Sequence, residues 1–388
     1  MRFFVLLALS GLLAGSALPP IPAAAAPVAL ALQSEALLAD GSYAVAEAEQ
    51  VVLFDRERGK ELPVYAAYPQ QPGRYPVIVF SHGSGGSGKE KALIARFWAS
   101  RGYVCLNPTH ADSIALQRAT GQAQTGGMLQ SAKRLANDPG AWQNRARDIS
   151  FVISSLGELE RQIPDLKGKP DARSIGVGGH SLGAFSAMLI GGARIDIPGG
   201  GRAVSFADNR VRAILLLSAQ GSGQQGLTER SWEAMNRPTM TVTGSLDRGI
   251  TGQGPQEKLE PFTFAPRGDK YGLLIEGANH GSYTGRFAGE EGEPAQGAGG
   301  MGNLPPQMRE RLRERLRGGQ GGGGMEGGRM GGGPRARGGD QTAIFGYVKV
   351  ATAAFWDAYL KGDERARAYL QSDGLAEFSN GAVELRRK

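Results

Sequence analysis

One stretch near the middle of the chain predicts a strand, a sharp turn and a helix in immediate succession. The short apolar segment 174–178 runs into Gly179-His180-Ser181-Leu182-Gly183, and an apolar run then continues to Ile190. A serine at such a bend projects its hydroxyl away from the backbone. Gly179 and Gly183 are needed because the bend packs backbone against backbone, where a Cβ would collide. Since the chain has 60 glycines, the five-residue pattern alone is weak, and the flanking strand and helix give it its value.

Apolar runs along the chain predict an α/β fold class. Buried strands are expected at 75–80, 103–107, 211–218, 238–244 and 271–275, and helices at 89–101, at 139–156 and after 341. Strands that are apolar throughout, alternating with helices, are typical of a mainly parallel central sheet flanked by helices on both faces. Two apolar runs around the charged turn 55–60 favour a hairpin. The glycine-rich segment 191–209 suits a loop or a small lid.

The first residues predict an export signal. Arg2 precedes an apolar run of signal-peptide length, and a small-residue zone follows with A-x-A sites ending at Ala25 or Ala31. We therefore expect a signal peptide over 1–31 and an exported protein, periplasmic or secreted, with no stable membrane span after cleavage. An uncleaved N-terminal anchor is the alternative.

Beyond the signal, we expect a single domain over 48–388 that is interrupted by an insertion. The Ala-rich residues 32–47 are expected to be a poorly ordered start. Residues 288–340 hold glycine runs and scattered arginines without any apolar period that could bury a core, which predicts a disordered Gly/Arg-rich insertion. The charged patch 309–317 could alternatively tether the protein to an anionic surface. Helical spacing resumes at Gln341, so the insertion is expected to lie inside the domain.

Composition limits the partners that the chain can have. The net charge of +7 is spread along the 388 residues, which indicates solubility or weak surface adhesion and no nucleic-acid partner. The single cysteine, Cys105, excludes an intramolecular disulfide. No residue pattern implies a metal or an organic cofactor, and the oligomeric state is left open.

A serine hydroxyl needs a base within hydrogen-bond reach and a third group that orients the base. The chain has four histidines. His180 adjoins Ser181 on the turn and is expected to point elsewhere, while His82 and His110 lie upstream. His280 is the only histidine after Ser181, as the order Ser, Asp or Glu, His requires. We therefore predict that His280 is the base.

The acid is expected at the C-terminal end of a strand between Ser181 and His280. Asp247 closes the strand that begins at 239 and fits this position. Asp269 precedes a strand, at the wrong edge of the sheet, and Asp208 lies in the glycine-rich segment. Asp247 is therefore the predicted acid.

A tetrahedral oxyanion also needs two N–H donors. One donor is expected to be the backbone N–H of Leu182, directly after the nucleophile. The second is expected from the loop after the strand 75–80, and we choose the N–H of Ser84. In this loop, His82-Gly83 is expected to form a tight turn, and His82 is expected to hold the shape of the loop.

In this order of motifs the chain resembles the α/β-hydrolase superfamily. More narrowly it is similar to the dienelactone-hydrolase-like and platelet-activating-factor-acetylhydrolase-like branch of serine esterases, which includes bacterial polyester hydrolases. The resemblance covers roughly 48–287 and 341–371, and Ser181 stands where true dienelactone hydrolases use cysteine. It rests on Phe80-Ser81-His82-Gly83-Ser84-Gly85, on the turn around Ser181, on Thr243-Gly244-Ser245-Leu246-Asp247, on Asn279-His280-Gly281, on the hairpin residues Leu62-Pro63-Val64 and Tyr68-Pro69, and on Trp142, Arg145 and Asp148.

The sequence thus predicts an exported serine hydrolase that cleaves a small-molecule or lipid-like carboxylic ester through an acyl-enzyme. Ser181, His280 and Asp247 are the expected catalytic residues, with the N–H groups of Ser84 and Leu182 as the oxyanion hole. A serine peptidase or amidase on the same fold is the first alternative, because the triad serves both chemistries. The second is a catalytically silent binding protein with this fold.

Overall fold

The computed structural model describes residues 26–121, 130, 134–135, 137–249, 252–285 and 339–388. Residues 1–25 of the predicted signal peptide lie outside the described residues, and so do residues 288–338 of the predicted insertion. Among the described helices, none is both long and apolar enough to cross a membrane.

A sheet of nine described strands forms the centre of the fold, in the order β1-β2-β4-β3-β5-β8-β9-β10-β11. The six strands from β4 to β10 in this order run parallel to their neighbours, whereas β1, β2 and β11 pair antiparallel at the two sides. The expected mainly parallel sheet is therefore confirmed. The strands are β1 (Val45–Asp55), β2 (Lys60–Pro69), β3 (Tyr75–Ser81), β4 (Val104–Pro108), β5 (Pro170–His180), β6 (Arg194–Ile197), β7 (Gly201–Ser205), β8 (Val211–Leu217), β9 (Thr239–Gly244), β10 (Lys270–Ile275) and β11 (Val383–Arg387).

Helices cover both faces of the sheet, and each face has its own apolar core. Strand β3 shows why, since Val77 and Val79 belong to one core while Ile78 and Phe80 belong to the other; successive side chains of a strand point to opposite faces. The helices are α1 (Ala26–Leu38), α2 (Ala92–Ser100), α3 (Ile114–Ala119), α4 (Pro139–Ser154), α5 (Leu156–Gln162), α6 (Leu182–Gly191), α7 (Pro255–Lys258), α8 (Glu260–Phe264), α9 (Gln341–Trp356), α10 (Glu364–Gln371) and α11 (Gly374–Phe378). Short 3-10 turns lie at Lys89–Lys91, Pro164–Leu166 and Ser282–Thr284, and a π-helical turn lies at Asp357–Lys361.

The expectation of a poorly ordered start at 32–47 is wrong. This segment contains the end of α1 and the beginning of β1. Leu37 is buried, and the Ser34 hydroxyl lies 2.7 Å from the Tyr369 hydroxyl of α10. Helix α1 is therefore held by the C-terminal helices.

Two further segments differ from their expected structure. Residues 191–209, expected as a loop or small lid, contain the two-stranded antiparallel hairpin of β6 and β7. The C-terminal strand β11 was not expected, and it pairs with β10 from Tyr271↔Arg387 to Ile275↔Val383.

The parallel strands bring the predicted catalytic residues to one edge of the sheet. Because parallel strands point the same way, the residues that follow them meet at one edge. Ser181 follows β5, Ser218 follows β8, Asp247 follows β9 and His280 follows β10. The loop that contains Ser84 follows β3 at the same edge.

Candidate active site

Ser181 occupies a strained backbone position between β5 and α6. Its φ of 56° and ψ of −122° lie in a region that residues with a side chain rarely adopt. A Cβ added at Gly179 would fall 2.2 Å from the carbonyl of Gly183, and one at Gly183 would fall 2.0 Å from the carbonyl oxygen of Ser81. Both glycines are therefore required, and the turn packs directly on the end of β3.

The structure brings the three predicted catalytic side chains together. The Oγ of Ser181 lies 3.0 Å from Nε2 of His280, and Nδ1 of His280 lies 3.0 Å from Oδ1 of Asp247. A carboxylate can only accept, so Nδ1 carries a proton and Nε2 is free to accept the serine proton. Asp247 is fully buried, whereas the side chain of His280 is 31% exposed. Ser181 and His280 are thus partly exposed while the acid is enclosed.

Asp247 is held as a carboxylate by four neighbours. Burial alone would raise its pKa, but the hydrogen bond with His280 and the charge of Lys258 outweigh this and hold the pKa well below the usual range. The hydroxyl of Tyr283 donates to Oδ2 at 2.7 Å, and that of Thr243 does so at 3.2 Å. An anionic Asp247 stabilises a positive charge on His280.

Lys258 and Ser218 are site residues that the sequence reasoning missed. The Nζ of Lys258 lies 3.6 Å from Oδ1 of Asp247 and donates to Oγ of Ser218 at 2.8 Å. The same Oγ lies 2.9 Å from Nδ1 of His280. Burial lowers the pKa of Lys258, and the charge of Asp247 opposes the change. Ser218 could have been noticed because it directly follows a predicted strand, but no local pattern marks Lys258.

His180 connects the serine turn to the loop of the base. Its Nε2 donates to the backbone carbonyl of His280 at 2.7 Å, and the ring centroids lie 5.0 Å apart. Its Nδ1 is buried and has no partner among the described residues. Burial, then the charge of Lys91, lowers its pKa, so the ring is neutral. His180 therefore points away from Ser181, as expected.

The two expected oxyanion donors are the N–H of Leu182, directly after Ser181, and the N–H of Ser84, in the loop after β3. Leu182 is the first residue of α6, and within the described ranges neither its N–H nor that of Ser84 has a protein acceptor. The Cα of Gly83 faces the turn, since a Cβ added there would lie 3.5 Å from Cβ of Ser181. The N–H of His110 donates to Nε2 of His82 at 3.0 Å, and Nδ1 of His82 donates to the carbonyl of Gly83 at 2.6 Å.

Asp269 and Asp208, the two other acids considered from the sequence, do not lie beside His280. Asp269 stands at the beginning of β10, the opposite edge of the sheet, where it accepts from the Tyr359 hydroxyl at 2.8 Å. Asp208 pairs with Arg210 at 2.6 Å. Neither carboxylate contacts His280.

A second Ser-His-Asp relay is buried behind the loop of Ser84. The hydroxyl of Ser81 lies 2.8 Å from Nε2 of His110, whose Nδ1 lies 2.9 Å from Oδ2 of Asp148. All three residues are fully buried, so they cannot meet a substrate. Burial, then the charge of Arg145, lowers the pKa of His110 to about 4.

The sheet topology and the loops at its edge are those of an α/β-hydrolase fold. A family model described as platelet-activating factor acetylhydrolase, isoform II, matches residues 48–134, which confirms the resemblance to that branch of the superfamily. The matched region begins within β1, contains β2 to β4 and the loop of Ser84, and ends before Ser181. No curated protein matches the chain. Within the described ranges, no group of three or more His, Cys, Asp or Glu side chains could hold a metal ion.

Proposed function

We propose that the protein is an exported serine esterase that uses Ser181, His280 and Asp247 as a catalytic triad. The observation that carries the proposal is the continuous relay of 3.0 Å contacts from the strained Ser181 through His280 to the buried Asp247. A serine hydroxyl gains nucleophilicity only next to an oriented base.

In the proposed reaction, Oγ of Ser181 attacks the ester carbonyl carbon while its proton moves to Nε2 of His280. The carbonyl oxygen becomes an oxyanion, which the N–H groups of Ser84 and Leu182 bind. The C–O bond to the alcohol breaks, and the alcohol leaves with the proton from His280. Water then attacks the acyl-enzyme, passing one proton through His280 back to Ser181 and releasing the carboxylic acid.

A fluorophosphonate probe tests the nucleophile. We expect covalent labelling of the wild-type protein and none of Ser181→Ala, together with a fall in ester turnover of about 10⁴-fold or more. Folded wild-type protein that fails to label would contradict the triad and favour the silent binding protein.

A substrate series separates the esterase from the peptidase or amidase. The matching family is named for an acetylhydrolase, so p-nitrophenyl acetate begins a series of rising acyl length, beside aminoacyl p-nitroanilides. We expect turnover of the esters. Faster turnover of the anilides would replace this proposal by the amidase.

Export is proposed from the N-terminal sequence. Mass spectrometry of the N-terminus of protein recovered outside the cytoplasm is expected to find a chain that lacks the apolar run 3–18. A full-length N-terminus would favour the uncleaved anchor.

A further inference from the structure

Arg145 is a buried cation that the proposed triad does not use. It lies on α4 with 2% of its side chain exposed, and its guanidinium faces the loop after β3. One nitrogen donates to the carbonyl of His82 at 2.8 Å, and another donates to the carbonyl of Gly83 at 3.1 Å. Two successive backbone carbonyls therefore point at one side chain.

This contact also fixes the direction of two N–H groups. A trans peptide is planar, so the N–H of each residue points opposite to the carbonyl of the residue before it. Among the described residues no peptide bond is cis. Because the carbonyl of Gly83 points to Arg145, the N–H of Ser84 points away from Arg145.

The loop also lies against the serine turn. Gly83 presents its Cα to Ser181, and a methyl group added at this glycine would lie only 3.5 Å from the serine Cβ. The N–H of Ser84, which has no protein acceptor among the described residues, is therefore available to an oxyanion beside this turn.

Asp112 holds Arg145 in this position. Its Oδ1 accepts from Nε at 2.8 Å and its Oδ2 accepts from Nη2 at 2.8 Å, a two-point pairing that fixes the guanidinium plane. Oδ2 also accepts the N–H of Gly85 at 3.1 Å. The pair thus holds the loop from both sides of Ser84.

We propose that Arg145, held by Asp112, is the positioning residue that sets the Gly83–Ser84 peptide plane and so aims the Ser84 N–H at the oxyanion. This inference rests on the proposed esterase function. The carbonyl of Gly83 also accepts from the ring of His82 and, at 3.3 Å, from the N–H of Gly86. Loss of Arg145 therefore loosens the peptide plane without releasing it fully.

Two variants test the assignment without leaving a buried charge alone. Arg145→Met combined with Asp112→Leu removes both partners, since a buried pair replaced by apolar groups is often neutral for stability. Arg145→Lys keeps the charge but cannot reproduce the planar fork. Arg210→Met is the matched control, because Arg210 forms a similar pair with Asp208 and contacts the same helix α4.

The readouts are kcat, KM and the inhibition constant of a trifluoromethyl ketone, whose adduct with the serine carries the oxyanion. Complete loss of one oxyanion donor costs about 10²- to 10³-fold in kcat, so we expect a fall of about 10- to 100-fold in the double variant and a smaller one in Arg145→Lys. KM should stay within about threefold, and ketone affinity should fall in step with kcat. Arg210→Met should change none of these values.

Each outcome decides the question. A folded double variant with unchanged kcat and ketone affinity would show that Arg145 only stabilises the fold, and so would a change in KM alone. If the double variant does not fold, Arg145→Lys gives the same readout. If wild-type protein neither labels with fluorophosphonate nor turns over any ester, the proposed function fails first and this inference fails with it.

Discussion

His110 gives the fold an acid sensitivity that can be measured apart from catalysis. In the buried relay, Nδ1 of His110 donates to Asp148, while Nε2 accepts from the hydroxyl of Ser81. Protonation at Nε2 would place a buried positive charge near Arg145. For these reasons burial and Arg145 lower the pKa of His110 from 6.5 to about 4 in the folded protein.

The sign and size of the effect follow from this pKa difference. Since the folded pKa lies below the unfolded one, the unfolded chain binds the proton first as the pH falls below about 6.5, and the folded state loses relative stability. The full difference between a pKa of 6.5 in the unfolded chain and about 4 in the folded protein corresponds to about 3.4 kcal/mol of stability, lost in full below pH 4. At pH 5 the loss is about 2 kcal/mol. The pKa of Asp148 is lowered to about 2, so its protonation reduces the stability of the fold only below about pH 4.

Urea unfolding at pH 7 and pH 5 measures this loss. We expect the free energy of unfolding of the wild type to fall by about 2 kcal/mol more than that of His110→Gln. Ser81→Ala is the matched control, because it removes the neighbouring hydroxyl but keeps the titrating ring, so its pH dependence should resemble the wild type. The buried rings of His82 and His180 are present in all three proteins. Equal pH dependence of the wild type and His110→Gln would refute the reasoning.

Four other predictions concern the site and its surroundings. Lys258→Met leaves the buried Asp247 without its cation, and urea unfolding should show a loss of about 3 kcal/mol; an unchanged midpoint would contradict the pairing. His180→Phe removes the hydrogen bond to the His280 loop, so kcat for p-nitrophenyl acetate should fall about 10-fold while the thermal midpoint changes little; an unchanged kcat argues against this link. Gly183→Ala drives a methyl group into the β3 backbone, and circular dichroism should find no cooperative melt; a wild-type melt would mean that the turn can relax. Deletion of 290–338, which has no apolar period, should leave ester turnover within about threefold, and a collapse in folding yield would disprove a disordered insertion.

The sheet and the order of the candidate catalytic residues could be predicted because both follow from local patterns. Apolar runs identified the parallel strands, and parallel strands deliver the residues after them to one edge. Ser181, Asp247 and His280 therefore needed only a position after a strand and a suitable side chain.

The remaining contacts could not be predicted because they arise between distant segments. Lys258, on the short helix α7, contacts Asp247 and Ser218. The residues around Lys258 in the sequence form no pattern that predicts these contacts. Helix α1 has no amphipathic period and depends on packing against helices more than 300 residues later. Strand β11 is short, and it is defined by its pairing with β10 across the chain.

The described residues just before and just after 286–338 are held close to each other by hydrogen bonds. The N–H of Gly339 donates to the carbonyl of Gly277 at 3.1 Å, and the hydroxyl of Ser282 donates to the side-chain carbonyl of Gln341 at 2.7 Å. The sequence predicts a disordered insertion here, and each doubling of the length of a disordered connection costs only about 0.6 kcal/mol in closure entropy. We therefore expect selection on stability to act weakly on the length of residues 286–338. Over evolutionary time this is a position where the chain can grow, shrink or accept foreign sequence while the sheet on both sides stays the same.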